Sequence, residues 1–373
     1  MYHKPTEFRI PIPEYAGKSA ADYITLLGER TMTSRKLVYE TLAFNNRQRV
    51  PRQLWELPWA HIYYPEELAR IKRDFPDDIG VSPNEGFPST EGFQIREGDP
   101  HGNPYDVGIY IDVWNCEFTN FHRGVIGEVK KPLIEGENWE GLGEMRIPEE
   151  CLEIDHEGIN EFCRNSDLFV LAGDWARPFE RLQFLRGTEQ LYVDLILQPD
   201  GLFEVMEIVH DYYCRLLTAW AETDVDALWY MDDWGAQSSL LISPELWVKL
   251  FKPLYRDYIN IAHDHGKKIF MHSDGYITDI IPHLIDLGLD ALNSQIFCMG
   301  VETLAQFRGK LTFWGEIDRQ HLLPEGSPED IEHAVTLVKD ALWADGGCIA
   351  QCEFGPGTKP ENVFSVFNTW NNL

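Results

Sequence analysis

The second half of the chain alternates short apolar runs with helix-like stretches, and each apolar run ends in polar or charged residues. The runs are residues 167–173, 226–231, 268–271, 290–292, 311–314 and 348–350. The residues that end them are, in the same order, Asp174; Asp232 and Asp233; His272, Ser273 and Asp274; Asn293 and Gln295; Glu316 and Asp318; Gln351, Cys352 and Glu353. Parallel strands that alternate with helices place all their carboxyl ends on one face, where polar side chains line a site. One polar end would indicate nothing, because loops are polar in general, but six in succession favour a shared site.

The first half of the chain supplies two more strands. Residues 49–56 and 78–81 are typical of strands, and residues 65–72 between them are typical of a helix. A further helix is expected from Thr33 or Ser34 to about Phe44. Eight strands are the number that closes a (β/α)8 TIM barrel, so we predict an α/β fold of this type. An open doubly wound sheet is the alternative, but no Gly-rich dinucleotide or phosphate-binding motif supports it.

The domain organisation follows from where this alternation begins and where it is interrupted. Residues 84–166 are too long for an ordinary connection and contain β-like runs, so they are predicted to form an inserted β-hairpin region, with a separate small domain as the alternative. Residues 1–50 are expected to form an N-terminal arm and helices packed on a barrel at 51–373. The arm, Pro-rich over its first 20 residues, also favours a homodimer.

The amino-acid composition limits the kinds of molecule that the protein is expected to bind. The formal net charge of −29 argues against nucleic acid and against an anionic membrane surface, both of which attract basic patches. No apolar run approaches the ~18 residues of a membrane span, and the N-terminus lacks the apolar centre of a signal peptide, so we expect a cytoplasmic protein. The seven cysteines are odd in number and scattered, which is typical of reduced thiols rather than of a disulfide framework.

Three residues at the predicted strand ends form a candidate metal site. His272 and Asp274 are two residues apart, so strand alternation places their side chains on one face. Cys352 ends the predicted eighth strand. Catalytic zinc sites typically have three protein ligands and a fourth coordination position left open. One imidazole, one carboxylate and one thiolate would supply three such ligands. The alternative is a hydrogen-bonded His–Asp pair and an unrelated buried thiol.

Other residues at these ends are candidates for acid–base chemistry and substrate binding. Asp232, Asp233 and Glu316 could hold carboxylates with separated pKa values, although helix capping or pairing with arginines would also explain them. Substrate contacts are expected from Trp234, Tyr276, Gln295, Gln351, Glu56 and Arg186. The aromatic residues among these are equally typical of a core.

The order and spacing of several segments resemble the uroporphyrinogen decarboxylase superfamily, and specifically its cobalamin-dependent methyltransferase branch. The segments are residues 32–38 with 49–51, 124–130, 185–187, 232–235 with 242–245, 270–275, 315–318 and 352–362. The resemblance covers most of the chain. It implies a TIM barrel with its site at the carboxyl ends of the strands.

True uroporphyrinogen decarboxylases share two sequence motifs that this chain lacks. One is an Arg-rich N-terminal segment that binds substrate carboxylates, and the other is a Phe-x-Asp-Ile motif that carries the key Asp. The corresponding residues here are 53–58, which read QLWELP, and 81–86, which read VSPNEG. Decarboxylation of an eight-carboxylate tetrapyrrole is therefore not expected, and the negative net charge agrees with this.

The methyltransferase branch carries a His-x-Cys…Cys zinc site that turns a thiol acceptor into a thiolate. The resemblance places its His on His272 and its second Cys on Cys352. Its first Cys falls on Asp274, which is a departure. Aspartate can bind zinc with the same ligand charge, but a harder oxygen ligand suits an oxygen substrate or water better than a thiol.

Three functional hypotheses follow. The first is a zinc-dependent methyltransferase that moves a methyl group between a small-molecule donor or acceptor and a corrinoid carried by a separate protein. The second is a decarboxylase or other lyase that binds a small carboxylate through Arg177, Arg181 and Arg186. The third is a non-catalytic binding relative whose metal site has decayed.

Overall fold

The structure is a computed structural model, and it describes residues 32–83 and 101–373. The predicted N-terminal arm, and the first part of the predicted insertion at 84–100, lie outside the described residues. Residues Ser34–Leu373 form one compact unit. The strands in chain order are β1 (Arg52–Glu56), β2 (Ile79–Val81), β3 (Gly108–Ile111), β4 (Glu117–Asn120), β5 (Glu128–Val129), β6 (Phe169–Leu171), β7 (Ala227–Met231), β8 (Lys268–Ser273), β9 (Ala291–Ser294), β10 (Thr312–Trp314) and β11 (Cys348–Phe354).

Helices alternate with these strands. In chain order they are α1 (Ser34–Leu42), α2 (Pro58–Tyr63), α3 (Pro65–Asp74), α4 (His156–Asn165), α5 (Pro178–Arg186), α6 (Thr188–Leu197), α7 (Asp200–Ala221), α8 (Pro244–Leu250), α9 (Lys252–Asp264), α10 (Ile281–Leu287), α11 (Ile296–Met299), α12 (Val301–Leu304), α13 (Leu322–Glu325), α14 (Pro328–Leu342) and α15 (Pro360–Asn372). Ser243 and Ser327 cap α8 and α14, since each hydroxyl accepts a backbone N–H from the first turn. None of the helices in the described part of the chain is long and apolar enough to cross a membrane.

Eight parallel strands form a nearly closed barrel, which confirms the predicted fold class. Their order is β1-β11-β10-β9-β8-β7-β6-β2. The two ends of this order meet where the backbone N–H of Asp78 donates to the carbonyl of Arg52 at 2.8 Å. Strands β3, β4 and β5 form a separate antiparallel sheet, so the inserted region is β-rich as predicted. This insertion is anchored to the barrel's helices by Asp112, which pairs with Arg181 of α5 at 2.5 Å.

Two strands are longer at their carboxyl ends than the pattern predicted. Strand β8 continues through His272 to Ser273, and β11 continues through Cys352 to Phe354. The reason is pairing between neighbours, because each residue of β11 from Ala350 to Phe354 has a partner in β1. Polar residues in these positions therefore lie inside paired strands, where alternation decides which side of the barrel each one faces.

Tryptophan rings fill the interior beneath the carboxyl ends of the strands. Trp55, Trp229 and Trp314 pack edge to face, with ring centroids 5.1–6.4 Å apart. Gln53 fixes two of these rings, because its Oε1 accepts both indole N–H groups at 2.9 and 3.1 Å. The imidazole of His272 lies 5.3 Å from the Trp55 ring. A rigid aromatic floor thus supports the residues at the strand ends.

Asp77→Asn is expected to make the protein more stable above neutral pH. The Oδ1 atom of Asp77 accepts the backbone N–H of Leu54 at 2.8 Å, and burial raises the pKa of this carboxyl to about 7. The folded protein therefore keeps a proton that the unfolded chain releases near pH 4, so stability falls between about pH 4 and pH 7. Asparagine keeps an oxygen that accepts the N–H of Leu54 but has no carboxyl proton to lose, so this fall in stability with pH disappears. Urea unfolding at pH 8 should show a gain of about 4 kcal/mol, since the pKa shift of about three units corresponds to about 1.36 kcal/mol per unit. An equal gain at pH 4 would contradict the explanation.

Candidate metal centre

Three potential metal ligands meet where β7 and β8 end. His272 lies in β8, Asp274 follows this strand, and Asp233 follows β7; the two strands are neighbours, with Met231 paired to His272. One ligand atom from each of the three residues lies within 4.8 Å of the other two. The Nε2 atom of His272 is 3.6 Å from Oδ1 of Asp233 and 3.6 Å from Oδ1 of Asp274.

The imidazole of His272 is held with one nitrogen facing the carboxylates. Asn293 in β9 donates through Nδ2 to the carbonyl of Trp314, which turns its Oδ1 towards Nδ1 of His272 at 2.6 Å. An amide oxygen only accepts hydrogen bonds, so Nδ1 carries the proton and Nε2 of the neutral ring is free to bind a cation. Burial lowers the pKa of His272, but the Asp274 and Asp233 carboxylates outweigh this effect and raise it.

Arg319, which follows β10, links three carboxylates around the same site. It donates to Oδ2 of Asp274 and to Oε2 of Glu353 at 2.8 Å, and its Nε lies 3.4 Å from Oε1 of Glu316. This arrangement fixes one oxygen of Asp274 and leaves the other, Oδ1, buried without a hydrogen-bond partner among the described residues. That unpartnered oxygen is the one that faces His272.

Glu316 is a buried acid beside this group. It is 2% exposed, and within the part of the chain that the structure describes neither carboxyl oxygen has a hydrogen-bond partner. Burial raises the pKa of Glu316 to about 8, although Arg319 opposes the shift. Together with Arg319 and Gln295 it lines a cavity of about 150 Å³ at the barrel mouth. A carboxyl that changes its protonation state near neutral pH is suited to acid–base chemistry.

The donor set fits a divalent metal. Three acceptor atoms, Nε2 of His272 and one oxygen each of Asp233 and Asp274, face one another, and such an arrangement is stable only with a proton or a cation between them. Imidazole nitrogen and carboxylate oxygen are both ligands that zinc accepts, and three is the number of protein ligands in catalytic zinc sites.

Comparison with known families agrees with this architecture. Residues 104–373 match the sequence model of the family described as uroporphyrinogen decarboxylase (URO-D). The chain belongs to the URO-D family. A search of curated proteins found no significant match to this URO-D family member.

Solved structures resemble this URO-D chain in fold. A methyltransferase from Methanosarcina mazei superposes with a TM-score of 0.63 at 15% sequence identity, covering 91% of this chain and 99% of the other. A 3-keto-D-glucoside 4-epimerase from E. coli gives a TM-score of 0.39 at 13% identity, covering 59% of this chain and 85% of the other. At 15% identity the likeness to the methyltransferase concerns the fold alone.

Of the predicted metal ligands, the structure brings His272 and Asp274 to the cluster but not Cys352. Glu353 reaches Arg319 at the mouth, and side chains alternate along β11, so Cys352 faces the helix layer. It is fully buried, and burial raises the pKa of its thiol well above the usual value. Asp233, predicted to be an acid–base residue, takes the third position.

Asp232 and Trp234, which flank Asp233, face away from the cluster into the core. Asp232 is fully buried and accepts the hydroxyl of Tyr255 in α9 at 2.5 Å and the backbone N–H of Glu180 at 2.8 Å. The indole N–H of Trp234 donates to the same tyrosine oxygen at 2.6 Å. The structure therefore gives neither residue a place in the site, and both tie β7 to the surrounding helices.

The other predicted substrate contacts are divided between the mouth and the helix layer. Gln295 lies at the mouth and accepts the backbone N–H of Gly275 at 3.1 Å. Gln351 is buried, and its amide has no hydrogen-bond partner in residues 32–83 and 101–373; Tyr276 is partly buried. Glu56 instead pairs with Lys72 of α3 at 2.5 Å, and Arg186 pairs with Asp194 at 2.7 Å.

The sequence pattern did not identify Arg319 as a site residue. A signal was available, because Arg319 lies close to Glu316 in the chain, just after a predicted strand end. Its contacts with Asp274 and Glu353, however, join segments from three different strands and depend on how those strands are ordered in the barrel. The support that Asn293 gives to His272 depends in the same way on the register between β8 and β9.

Proposed function

We propose that this URO-D family member is a zinc-dependent methyltransferase that moves a methyl group between a small molecule and a corrinoid carried by a separate protein. The observation that carries the proposal is the group of Asp233, His272 and Asp274 at the barrel mouth, with Asn293 fixing the imidazole. The fold shared with the Methanosarcina mazei methyltransferase supports it.

In the proposed site, His272, Asp233 and Asp274 would hold the metal. Zinc, when bound there, supplies a Lewis acid that activates the donor or the acceptor of the methyl group. Arg319 keeps one oxygen of Asp274 occupied and so presents the other to the site. Two carboxylate oxygens and one imidazole suit an oxygen substrate better than a thiol.

Glu316 is the proposed acid–base residue. Its buried carboxyl, with a pKa of about 8, holds a proton at neutral pH and could deliver it to an oxygen that loses its methyl group. The neighbouring guanidinium of Arg319 would stabilise the carboxylate that remains. Asp233 and Asp274 would then serve as metal ligands, so different acidic residues would carry out metal binding and proton transfer.

A carboxylate lyase receives less support from the arrangement of arginines. Two of the three arginines on which that hypothesis relied, Arg186 and Arg181, are buried and already paired with Asp194 and Asp112. Charged groups with such partners have little to offer a substrate acid. The third, Arg177, lines a different cavity from the one that Glu316 lines at the barrel mouth.

Methyl transfer from a methoxylated small molecule to free cob(I)alamin tests the proposal. We expect transfer with the zinc-loaded protein, loss of transfer after chelation, and recovery after zinc is returned. Magnesium should not restore it, since it prefers six oxygen ligands. Full activity in the metal-depleted protein, or release of carbon dioxide without metal, would refute the proposal.

A further inference from the structure

A second cavity lies between the inserted sheet and the barrel, apart from the metal centre. Its volume is about 600 Å³, within the range of small-molecule sites. The insertion contributes one wall, and the residues that follow β6, together with α5 and α7, contribute the others. None of the three proposed metal ligands belongs to its lining.

The walls of this cavity are mainly aromatic. The rings that line it include Tyr110, Trp114, Phe118, Trp175, Tyr212 and Tyr213. These rings pack against one another; Trp114, for example, packs edge to face on Tyr212 with ring centroids 4.8 Å apart. Outside the cavity, Trp175 packs on Trp229 of the barrel interior at 4.6 Å. Rigid aromatic walls favour a flat ring that can pack against their faces or edges.

The charged side chains that line the cavity differ in how closely they are paired with a side chain of opposite charge. Arg181 and Asp112 form a buried pair at 2.5 Å and neutralise each other. Among the described residues, Arg177 has no comparably close carboxylate partner: its ion pair with Glu180 spans 4.0 Å. Its guanidinium also contacts the Met231 sulfur at 3.2 Å and lies 5.2 Å from the centroid of the Trp175 ring. A guanidinium that is 20% exposed and only weakly paired offers its forked donors to an anion.

Asp174 adds an acceptor to the same lining. Its Oδ1 accepts the backbone N–H of Trp175 at 2.7 Å. Burial raises the pKa of Asp174 to about 6. A ring hydroxyl could donate to this carboxylate when the ligand carries its own acid at the other end. The lining of this second cavity, called the chamber below, therefore combines the guanidinium of Arg177, which suits an anion, with the carboxylate acceptor of Asp174 inside aromatic walls.

We propose that this chamber binds a small aromatic carboxylate whose acid group pairs with Arg177 and whose ring packs between the walls formed by Trp114, Trp175 and Tyr212. The proposal rests on the chamber alone and goes beyond the proposed methyl transfer. It requires neither a metal nor a corrinoid protein.

Isothermal titration of the metal-depleted full chain with 4-hydroxybenzoate tests the proposal. We expect one ligand per chain. The uncharged 4-hydroxybenzamide should bind about 10-fold or more weakly, because a hydrogen bond to a charged group is lost. Cyclohexanecarboxylate, which keeps the acid but has no aromatic ring, should also bind more weakly. Equal affinity for the acid and the amide, or no binding at millimolar concentration, would overturn the proposal.

Arg177→Gln should weaken binding of 4-hydroxybenzoate about 10- to 100-fold and leave binding of the amide nearly unchanged. Arg164→Gln is the matched control, since Arg164 is exposed on α4 and pairs with Asp224 outside the cavity. If Arg177→Gln fails to fold, Arg177→Lys keeps the charge but loses the forked donors, and should weaken binding by a smaller factor. Unchanged affinity in a folded Arg177→Gln would refute the assignment.

The chamber and the metal centre can be tested separately. His272→Ala removes a proposed metal ligand and should leave binding of 4-hydroxybenzoate unchanged. Loss of binding in this variant would contradict a chamber that is independent of the metal. Binding without methyl transfer would refute only the proposed function.

Discussion

Replacing His272 with alanine is expected to abolish both metal binding and methyl transfer. His272 is the only nitrogen donor in the cluster, and its Nε2 faces both carboxylates at 3.6 Å. We expect about one zinc per chain in the native protein and almost none in the variant, by elemental analysis after gel filtration. Loss of a residue that merely orients a ligand lowers metal affinity or activity 10- to 100-fold, so loss of the ligand itself should lower the transfer rate by at least about 100-fold.

Cys352→Ser is the control for this experiment. The sequence alone pointed to Cys352 as a ligand, whereas the structure places it on the helix-facing side of β11. We therefore expect the serine variant to keep its zinc. If Cys352→Ser lost zinc and His272→Ala kept it, the centre proposed here would be wrong.

Arg186→Met is expected to destabilise the fold by about 3–5 kcal/mol. The side chains of Arg186 and Asp194 are 2% and 4% exposed and pair at 2.7 Å. The guanidinium also lies 4.1 Å from the ring centroid of Trp139 and donates to the carbonyl of Ile134 at 3.2 Å. Removal of the cation leaves a carboxylate buried without its partner. Urea unfolding at pH 7 measures the loss.

The double variant Arg186→Met/Asp194→Leu separates the cost of an unpaired charge from the loss of packing. Because it removes both charges, we expect it to recover most of the stability that the single variant loses. The variants should retain zinc wherever they remain folded, since Arg186 lies outside the metal cluster. A single variant as stable as the native protein would show that the pair does not anchor α5 to α6.

The alternation of apolar runs and helices was sufficient to predict the barrel. Each run corresponds to an observed strand, and the serines before α8 and α14 cap those helices as expected. These signals are local, because strand burial and helix capping depend on residues a few positions apart. The strand ends also showed correctly that polar residues would gather at one face.

The choice among neighbouring polar residues could not be made in the same way. Asp232 and Asp233 are adjacent and chemically identical, yet one binds Tyr255 in the helix layer and the other faces His272. The carboxyl end of β11 was predicted four residues too early, at 350 rather than at Phe354. Cys352 was therefore expected in the polar end that follows the strand, whereas it lies within the paired strand, where alternation turns Glu353 to the mouth and Cys352 to the helix layer.

The sequence by itself therefore determined the order of strands and helices, the face on which the site lies, and the residue types available there. These properties follow from periodicity and from the chemistry of residues close together in the chain. Only the tertiary structure decided which side chains meet. Asp233, His272, Asn293 and Arg319 come from four different strand–loop segments, and their contacts depend on the order and register of neighbouring strands. Register is set by pairing between distant residues, so no local pattern contains it.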